Sequence, residues 1–455
     1  MGASPSSFLR QVDAHPGDTL DEKTLKSFLG PDPYSNGWCR QNWALWESLK
    51  KDQRGGFPKS KLMLAFGWAL DEETNGTMGT REEARAINDA AEAAAVGTPH
   101  FYEMNPEEAR ENRRKAYVHS DKRETFSIPG RGEHDVWHPI RFAKWTPSKE
   151  KWPDGPRGIY LLFHGGGWVF GDACGQNDVR LEEMSEELGL IVLVPDYSKA
   201  PEHTYPAAVN ECELAAIWVE ENAEKEFGEK AAKIMIIGGE SAGGNLCAAV
   251  LLRRRDAWRG PRPEWYKKGW VTPRGVEGWP VTEIGERLGG GDEHKMPWKL
   301  ANLVYGIYDV AGTPSVAAFG ERRLIETARD VQWFGDCYCP DKEMLKLPDV
   351  SPLRGDFRGM PPAMFTIGME DALADDTFLM HKKWVEFGNG VSLDVWPEGP
   401  HGVGHFGVHA TSKLGMACRK KLHHKIDLFI KHEPEIPGRW KDTSRGGVIR
   451  YFSAY

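Results

Sequence analysis

Ser241 lies between glycines in the pentapeptide GESAG (239–243), which has the residue types and spacing of a serine nucleophile. The apolar run KIMIIG precedes it, and a segment of helix-forming composition, AGGNLCAAVLLRR, follows. Because the glycines have no Cβ, the chain can make a sharp strand-to-helix turn that lifts the serine hydroxyl above a sheet. Glycine–serine turns without a catalytic role are common, so other residues must decide the function.

The run HGGGW (164–168) directly follows the apolar segment GIYLLF. Acyl transfer passes through a tetrahedral oxyanion, which requires hydrogen-bond donors already in place where the negative charge develops. Three consecutive glycines allow backbone N–H groups to turn toward such a charge without an intervening side chain. The position of this run about 75 residues before Ser241 predicts an oxyanion loop.

An acid and a base are predicted downstream of the serine, after two further strands. Asp371 lies in TIGMEDALADD (366–376), and His401 lies in WPEGPHGVGHF (396–406). Because successive parallel strands end at one edge of a sheet, these side chains are expected beside the serine. His401 would then accept the Ser241 proton, while Asp371 would orient the imidazole and stabilise its cation.

The same segments contain rivals for both roles. His405 is a second candidate base, and the choice of His401 over it comes from the family resemblance described below. Asp375 and Asp376 are rival acids, but they lie a helical turn later, where a carboxylate more often caps or supports a loop.

A metal site is the alternative function for the histidines in this region. His401, His405 and His409 recur at four-residue intervals, the spacing that presents ligands on one helix face. Glycines at 402, 404 and 407 make a helix improbable there, so a metal site is not expected. No organic cofactor is expected either.

Short apolar segments alternate with helical or loop segments through most of the chain, which is typical of a parallel sheet covered on both faces. After GIYLLF these segments are LIVLVPDY, KIMIIG, NLVYGIYD, AMFTIG and SLDVWPE. The pattern predicts one doubly wound α/β domain with an N-terminal helical addition.

Two regions differ from this alternation. Residues 1–120 have mostly helical composition and are predicted to form an N-terminal extension and cap on a catalytic domain of residues 121–455. Residues 253–299 are polar and rich in glycine and proline, which predicts a surface insertion within that domain.

The composition favours a globular enzyme over a nucleic-acid-binding protein. Apolar residues make up 40% of the chain, and the net charge is −9, whereas phosphate binding requires a basic surface. No apolar run approaches the roughly 20 residues of a membrane span, so stable membrane insertion is not expected.

Seven scattered cysteines do not form a disulfide framework, so a reducing compartment and a cytoplasmic location are expected. No secretory signal is expected at the N-terminus. The start MGASPS fits the myristoylation pattern at Gly2, but a single acyl chain gives only marginal membrane binding.

Together these motifs resemble those of the hormone-sensitive-lipase-like family of α/β-hydrolase serine esterases. HGGGW and GESAG match the family's signatures, and DYSKAPEHTYPAA (196–208) resembles its DYRLAPE…FPAA stretch. VSPLRGDFRGMPPAM (350–364) is similar to the family's SPL…LPP segment, and DALAD to its D-x-L-x-D. The resemblance covers about residues 105 to 432.

The resemblance implies an α/β-hydrolase fold, with a mostly parallel sheet of about eight strands under a mainly N-terminal helical cap. It implies Ser241 as nucleophile, Asp371 as acid and His401 as base. The implied oxyanion donors are the backbone N–H groups of Gly166, Gly167 and Ala242. Trp168, beside that loop, is the candidate for direct contact with substrate.

The predicted function is hydrolysis of a small to medium hydrophobic carboxylic ester through an acyl-enzyme. Two alternatives stay open at this point. The same residues could act on an amide, lactone, thioester or carbamate, or transfer the acyl group to an alcohol. A ligand receptor on the same fold is the other alternative, although such relatives usually lack one of the three catalytic residues.

Overall fold

The computed structural model describes residues 4–29, 57–59, 63, 76–259 and 296–432. The predicted myristoylation position, Gly2, lies outside these ranges, and so does most of the predicted insertion. Within the described ranges, no helix is long and apolar enough to cross a membrane.

An eight-stranded sheet forms the centre of the protein. Its strands are β3 (Glu124–Ile128), β4 (Ile140–Trp145), β5 (Gly158–Phe163), β6 (Leu190–Pro195), β7 (Met235–Glu240), β8 (Trp298–Val304), β9 (Ala363–Glu370) and β10 (Val391–Pro400). They lie in the order β10-β9-β8-β7-β5-β6-β4-β3. Strands β5 to β10 pair in parallel, and β3 and β4 add an antiparallel edge. The predicted mostly parallel, doubly wound sheet is therefore confirmed. A separate two-stranded pair joins β1 (Thr19–Leu20) to β2 (Phe57–Pro58).

Helices surround this sheet and precede it in the chain. They are α1 (Pro5–Ala14), α2 (Glu22–Leu29), α3 (Arg81–Ala95), α4 (Pro106–Ala116), α5 (Asp178–Leu188), α6 (Ala207–Phe227), α7 (Glu229–Ala232), α8 (Ala242–Arg259), α9 (Pro314–Phe319), α10 (Ala328–Tyr338), α11 (Ala374–Glu386) and α12 (Lys413–Lys431).

Strand β5 illustrates why the sheet is covered on both faces. All six of its residues are buried, and alternate side chains point to opposite faces. Ile159 and Leu161 join a core with α6 and α8, whereas Tyr160 and Leu162 join a second core with α5 and α12. Burial on both faces accounts for the continuous apolar run in the sequence.

The N-terminal helix α1 is packed into the sheet domain. Phe8, Leu9 and Val12 are fully buried in a cluster that also contains Phe378 of α11 and Ile367 of β9. The backbone N–H of Ser6, within the first turn of α1, donates to an Asp375 oxygen at 2.9 Å. Helix α1 therefore shares a core with the domain that the sequence separates from it, and the division at residue 120 stays a prediction.

The region predicted as an insertion begins inside a helix. Residues 253–259 continue α8, where the Arg253 guanidinium is buried and pairs with the carboxylates of Asp349 and Glu213. Strand β8 begins at Trp298. Residues 260–295 lie outside the described ranges, so a surface insertion there stays a prediction.

Replacement of Phe8 by alanine should destabilise the protein by about 3–5 kcal/mol, the usual range for removing a buried aromatic side chain. The free energy of unfolding from urea denaturation measures this effect. Ser7→Ala, at the exposed neighbouring position, should change stability by only about 0.5 kcal/mol. Equal stabilities of the two variants would contradict a shared core.

Candidate active site

The carboxyl ends of β5, β7, β9 and β10 lie at one edge of the sheet. Strand β5 lies between β6 and β7, so the direction in which the chain adds strands reverses there. In open α/β sheets, ligands bind in the crevice at such a reversal. The HGGGW run follows β5 and Ser241 follows β7, so both predicted motifs border this crevice.

Ser241 lies in a tight turn between β7 and α8. Its φ of +55° is in the left-handed region, which is uncommon for a residue with a Cβ. Gly243 allows the turn because a Cβ at that position would overlap the carbonyl oxygen of Phe163 in β5. The Ser241 N–H donates to the carbonyl of Val304 at 3.0 Å, which ties the turn to β8.

The structure brings Ser241, His401 and Asp371 into one chain of hydrogen bonds. The His401 Nε2 lies 2.9 Å from the Ser241 Oγ, and the His401 Nδ1 lies 2.9 Å from an Asp371 oxygen. Asp371 is fully buried, and its other oxygen accepts from the Leu373 N–H at 2.8 Å. With the Nδ1 proton donated to Asp371, the Nε2 is free to accept the serine proton.

The surroundings of His401 favour its charged form. Burial opposes the imidazolium, but the Asp371 carboxylate, followed by Glu326, outweighs burial and raises the pKa of His401 to about 9. A base acts only in its neutral form, so proton transfer from Ser241 should become more efficient as pH rises toward this value.

The rival residues have other partners. The His405 Nδ1 lies 3.1 Å from the Val403 carbonyl, and burial lowers its pKa well below the usual range. One Asp375 oxygen accepts from the Ser6 N–H. Asp376 accepts from the N–H groups of Tyr308 and Asp309 at 2.6 and 2.9 Å, as expected of a carboxylate that supports a loop.

His401, His405 and His409 do not lie on one face of a helix, because residues 401–405 form turns. His409 contacts Asn88 and Ser412 with its two ring nitrogens, at 2.9 and 2.7 Å. A different trio, Glu326, Asp371 and His401, offers ligand atoms within 4.8 Å of one another. Both ring nitrogens of His401 already have partners, so a cation on Nδ1 would displace the hydrogen bond to Asp371.

The glycine loop after β5 is held against the serine turn. Gly167 has a φ of +61°, and a Cβ there would overlap the ring of Phe334. The Tyr197 hydroxyl donates to the His164 carbonyl at 2.8 Å, and the Phe170 N–H donates to the Gly166 carbonyl at 2.7 Å. These bonds fix the loop beside Ser241 before any ligand binds.

A narrow, largely apolar cavity lies against the serine. Its lining consists of Gly167, Trp168, Ser241, Ala242, Ile307, Glu326, Val331, Phe334 and Leu373. Its volume is about 20 Å³, room for about one water molecule. Trp168, the predicted substrate contact, lines this cavity and stacks on Tyr338 with ring centroids 4.3 Å apart.

A larger surface hollow of about 550 Å³ lies near Arg157, which precedes β5, and the second half of α12. That position is at the opposite end of β5 from the HGGGW run. Ser241, the predicted nucleophile, lines the smaller cavity and not this hollow, so the smaller cavity is the candidate active site.

Among the described residues that line this cavity, Glu326 is an ionisable group that no sequence motif identified. It is buried, and one of its oxygens lies 3.8 Å from the His401 Nδ1. Burial raises the pKa of Glu326 to about 7. No motif marks this residue, since it comes from the segment between β8 and α10, far along the chain from His401.

Comparison with known families agrees with this architecture. Residues 160–405 match a family model described as the alpha/beta hydrolase fold. The chain is 31% identical over 287 residues to the carboxylic ester hydrolase LipN of Mycobacterium tuberculosis, covering 61% of this chain and 67% of that protein. It is 38% identical over 111 residues to human hormone-sensitive lipase, covering 23% of this chain and 10% of that protein.

Solved structures show the same fold. A thermostable esterase from Pseudomonas putida aligns with a TM-score of 0.61 at 21% identity, covering 77% of this chain and 98% of that one. A Pyrobaculum calidifontis esterase aligns with a TM-score of 0.58 at 23% identity, covering 78% of this chain and 98% of that one.

Modification of Ser241 by phenylmethylsulfonyl fluoride should accelerate as pH rises toward about 9, because below the pKa of His401 the imidazolium cannot accept the serine proton. Intact-protein mass spectrometry over a pH series measures the rate. Ser241→Ala should remain unlabelled, and His401→Gln should react slowly at every pH. A wild-type rate that is constant from pH 6 to pH 9 would contradict the raised pKa.

Proposed function

Because the chain belongs to the hormone-sensitive-lipase-like family of α/β-hydrolase-fold esterases, we propose that it hydrolyses small carboxylic esters through an acyl-enzyme on Ser241. Relatives named carboxylic ester hydrolase and carboxylesterase support an ester as the bond that is cleaved. The observation that carries the proposal is the hydrogen-bonded chain from Ser241 through His401 to Asp371, beside a glycine loop.

In the first half-reaction, the Ser241 Oγ attacks the ester carbonyl carbon while the His401 Nε2 takes the hydroxyl proton. The carbonyl oxygen becomes an oxyanion, and Asp371 stabilises the imidazolium. Collapse of the intermediate breaks the bond to the alcohol oxygen, which leaves with the proton from His401. Water then attacks the acyl-enzyme while His401 takes its proton. The bond between the acyl carbon and the Ser241 Oγ breaks, and His401 returns the proton to the Oγ, so the products are an acid and an alcohol.

Backbone donors around Ser241 would stabilise the oxyanion. We assign this role to the N–H groups of Gly166, Gly167 and Ala242. In the described part of the chain, the first two N–H groups donate to no other group. Ala242 is the first residue of α8, so its N–H lies at the positive end of the helix dipole. Donors held in place before reaction stabilise developing charge without further reorganisation.

The cavity supports a short acyl group. Trp168, Phe334 and Val331 give it an apolar wall, and its volume of about 20 Å³ leaves no room for a long chain. An acyl group of a few carbons requires modest displacement of these side chains, whereas a palmitoyl chain requires a different pocket. We therefore place the substrate preference at the small end of the predicted hydrophobic esters.

We also propose that residues 1–120 act as a cap over this pocket. Phe101, in this region, packs against Phe334 and Phe170 with ring centroids 5.4 and 5.7 Å away. Since Phe334 lines the cavity, a shift of the region around Phe101 would alter the space available to substrate.

A cytoplasmic location is proposed from cysteine chemistry. The six cysteines within the described ranges are all free thiols. Free thiols persist in reducing compartments, which favours the cytoplasm.

A series of p-nitrophenyl esters from acetate to palmitate tests the activity and the pocket size together. Turnover should be highest for the shortest chains, and Ser241→Ala should lower kcat by about 10⁴-fold or more. Stopped-flow release of p-nitrophenol measures both. Undiminished turnover by Ser241→Ala would overturn the proposal, and a palmitate optimum would contradict the pocket assignment. If neither protein turns over these esters although the wild type binds them, the receptor alternative gains support.

Asp371→Asn should lower kcat by about 10⁴-fold, since an amide neither selects the required imidazole tautomer nor stabilises its cation. Asp375→Asn is the matched control, because its side-chain oxygen can still accept from the Ser6 N–H. The kcat for p-nitrophenyl acetate should stay near the wild-type value in this control. Equal losses in both variants would assign the Asp371 effect to folding.

A further inference from the structure

Glu326 places a second carboxylate at the imidazole of His401. The Glu326 Oε1 lies 3.8 Å from the His401 Nδ1, the same nitrogen that contacts Asp371 at 2.9 Å. The longer distance is beyond hydrogen-bonding range, so Glu326 acts on the ring through its charge. Glu326 also lines the cavity that contains Ser241.

The backbone on both sides of Glu326 aims its side chain inward. Ile325 has a φ of +80°, which is an outlier for a β-branched residue and has to be maintained by its surroundings. On the other side, Thr327 caps helix α10: its hydroxyl accepts from the Asp330 N–H, and the Asp330 carboxylate accepts from the Thr327 N–H. Strain beside a capped helix start is typical of a side chain held for a function.

One oxygen of this buried carboxylate lacks a hydrogen-bond partner among the described residues. The Glu326 Oε1 is buried and accepts no hydrogen bond from the described residues, and an unpaired buried carboxylate oxygen is costly. The titratable groups around Glu326 and His401 are Asp371 after β9, Asp330 in α10 and Tyr305, which follows β8. His100, before α4, lies near Asp330. Within the described part of the chain, His401 is the cation-forming group that lies within 4.0 Å of the Glu326 carboxylate.

We propose that Glu326 is a positioning residue that, together with Asp371, stabilises the imidazolium form of His401 during catalysis. The proposal rests on the proposed function, because it assumes that His401 takes the serine proton. When that proton arrives, the new positive charge lies beside two carboxylates in a buried site, where solvent and salt screen it weakly.

The directions of the two pKa shifts agree with this geometry. Burial raises the pKa of Glu326 to about 7, and the nearby His401 acts in the opposite direction. For His401, burial is opposed by Asp371 and then by Glu326, with a net rise in the pKa to about 9. Each group therefore favours the charged form of the other, so loss of the Glu326 charge should lower the pKa of His401.

Glu326→Gln tests the role with little change in shape. In kcat/KM for p-nitrophenyl acetate against pH, the acid limb should move to lower pH by about one unit, because His401 becomes neutral more readily. Glu326→Asp keeps the charge and should leave the limb nearer its wild-type position. Glu321→Gln, the same change at an exposed position of the same segment, should have no effect on the limb.

An NMR titration of the His401 imidazole in wild type and Glu326→Gln gives a readout independent of turnover. The expected result is a lower pKa in the variant. An unchanged pKa in a folded variant would overturn the proposal, even if activity falls. An unchanged acid limb with a raised KM for esters that bear an ammonium group would also overturn it, and would assign Glu326 to substrate recognition.

The two proposals can fail separately. If wild-type ester turnover does not depend on Ser241, the proposed function fails, and the NMR titration still tests the interaction of Glu326 with His401. If turnover depends on Ser241 but the acid limb and the pKa are the same in Glu326→Gln, the proposed function stands and the role of Glu326 is overturned.

Discussion

Close packing of helix α8 against strand β5 is the constraint on which the site depends. The turn between β7 and α8 holds Ser241 at a φ of +55°, and only the absence of a Cβ at Gly243 lets the helix start against the Phe163 carbonyl. A strained backbone of this kind costs about 1–3 kcal/mol and persists because the close-packed strands β5 and β7, which are buried along their whole length, over-determine it. The same packing brings the HGGGW loop beside the serine hydroxyl.

Near that turn, two carboxylates lie close to the imidazole of His401. Asp371 contacts His401 directly, while Glu326 faces the same nitrogen across a longer gap. Both carboxylates are buried, so their fields act on the ring with little solvent screening. The result is an imidazole that is more readily protonated than that of an ordinary histidine. In the proposed mechanism His401 must be neutral to accept a proton, so we expect the highest activity at alkaline pH.

The N-terminal helix α1 differs in composition from the sheet domain but shares a hydrophobic core with it. Its helical character differs from the alternating segments that follow, which suggests a separate unit. Yet Phe8 and Leu9 of α1 are fully buried in one cluster with Phe378 of α11. Asp375, a rival for the catalytic acid, instead accepts a hydrogen bond from the Ser6 N–H in the first turn of this helix. A short amphipathic helix is rarely stable alone, so its apolar face is buried against the larger domain.

Residue type and spacing were enough to predict the strands, their parallel pairing and the region of the candidate site. Buried parallel strands need continuous apolar runs, and their carboxyl ends lie at one edge, so residues after β5, β7, β9 and β10 had to meet. The directions of the two candidate histidines, in contrast, depend on the folded backbone. The His401 ring points toward Ser241, whereas the His405 ring points toward the Val403 carbonyl. Glu326 was invisible in the sequence, because its approach to His401 depends on the left-handed Ile325 and the capped start of α10. Side-chain direction in loops follows from long-range packing and hydrogen bonds, which residue type and spacing do not encode.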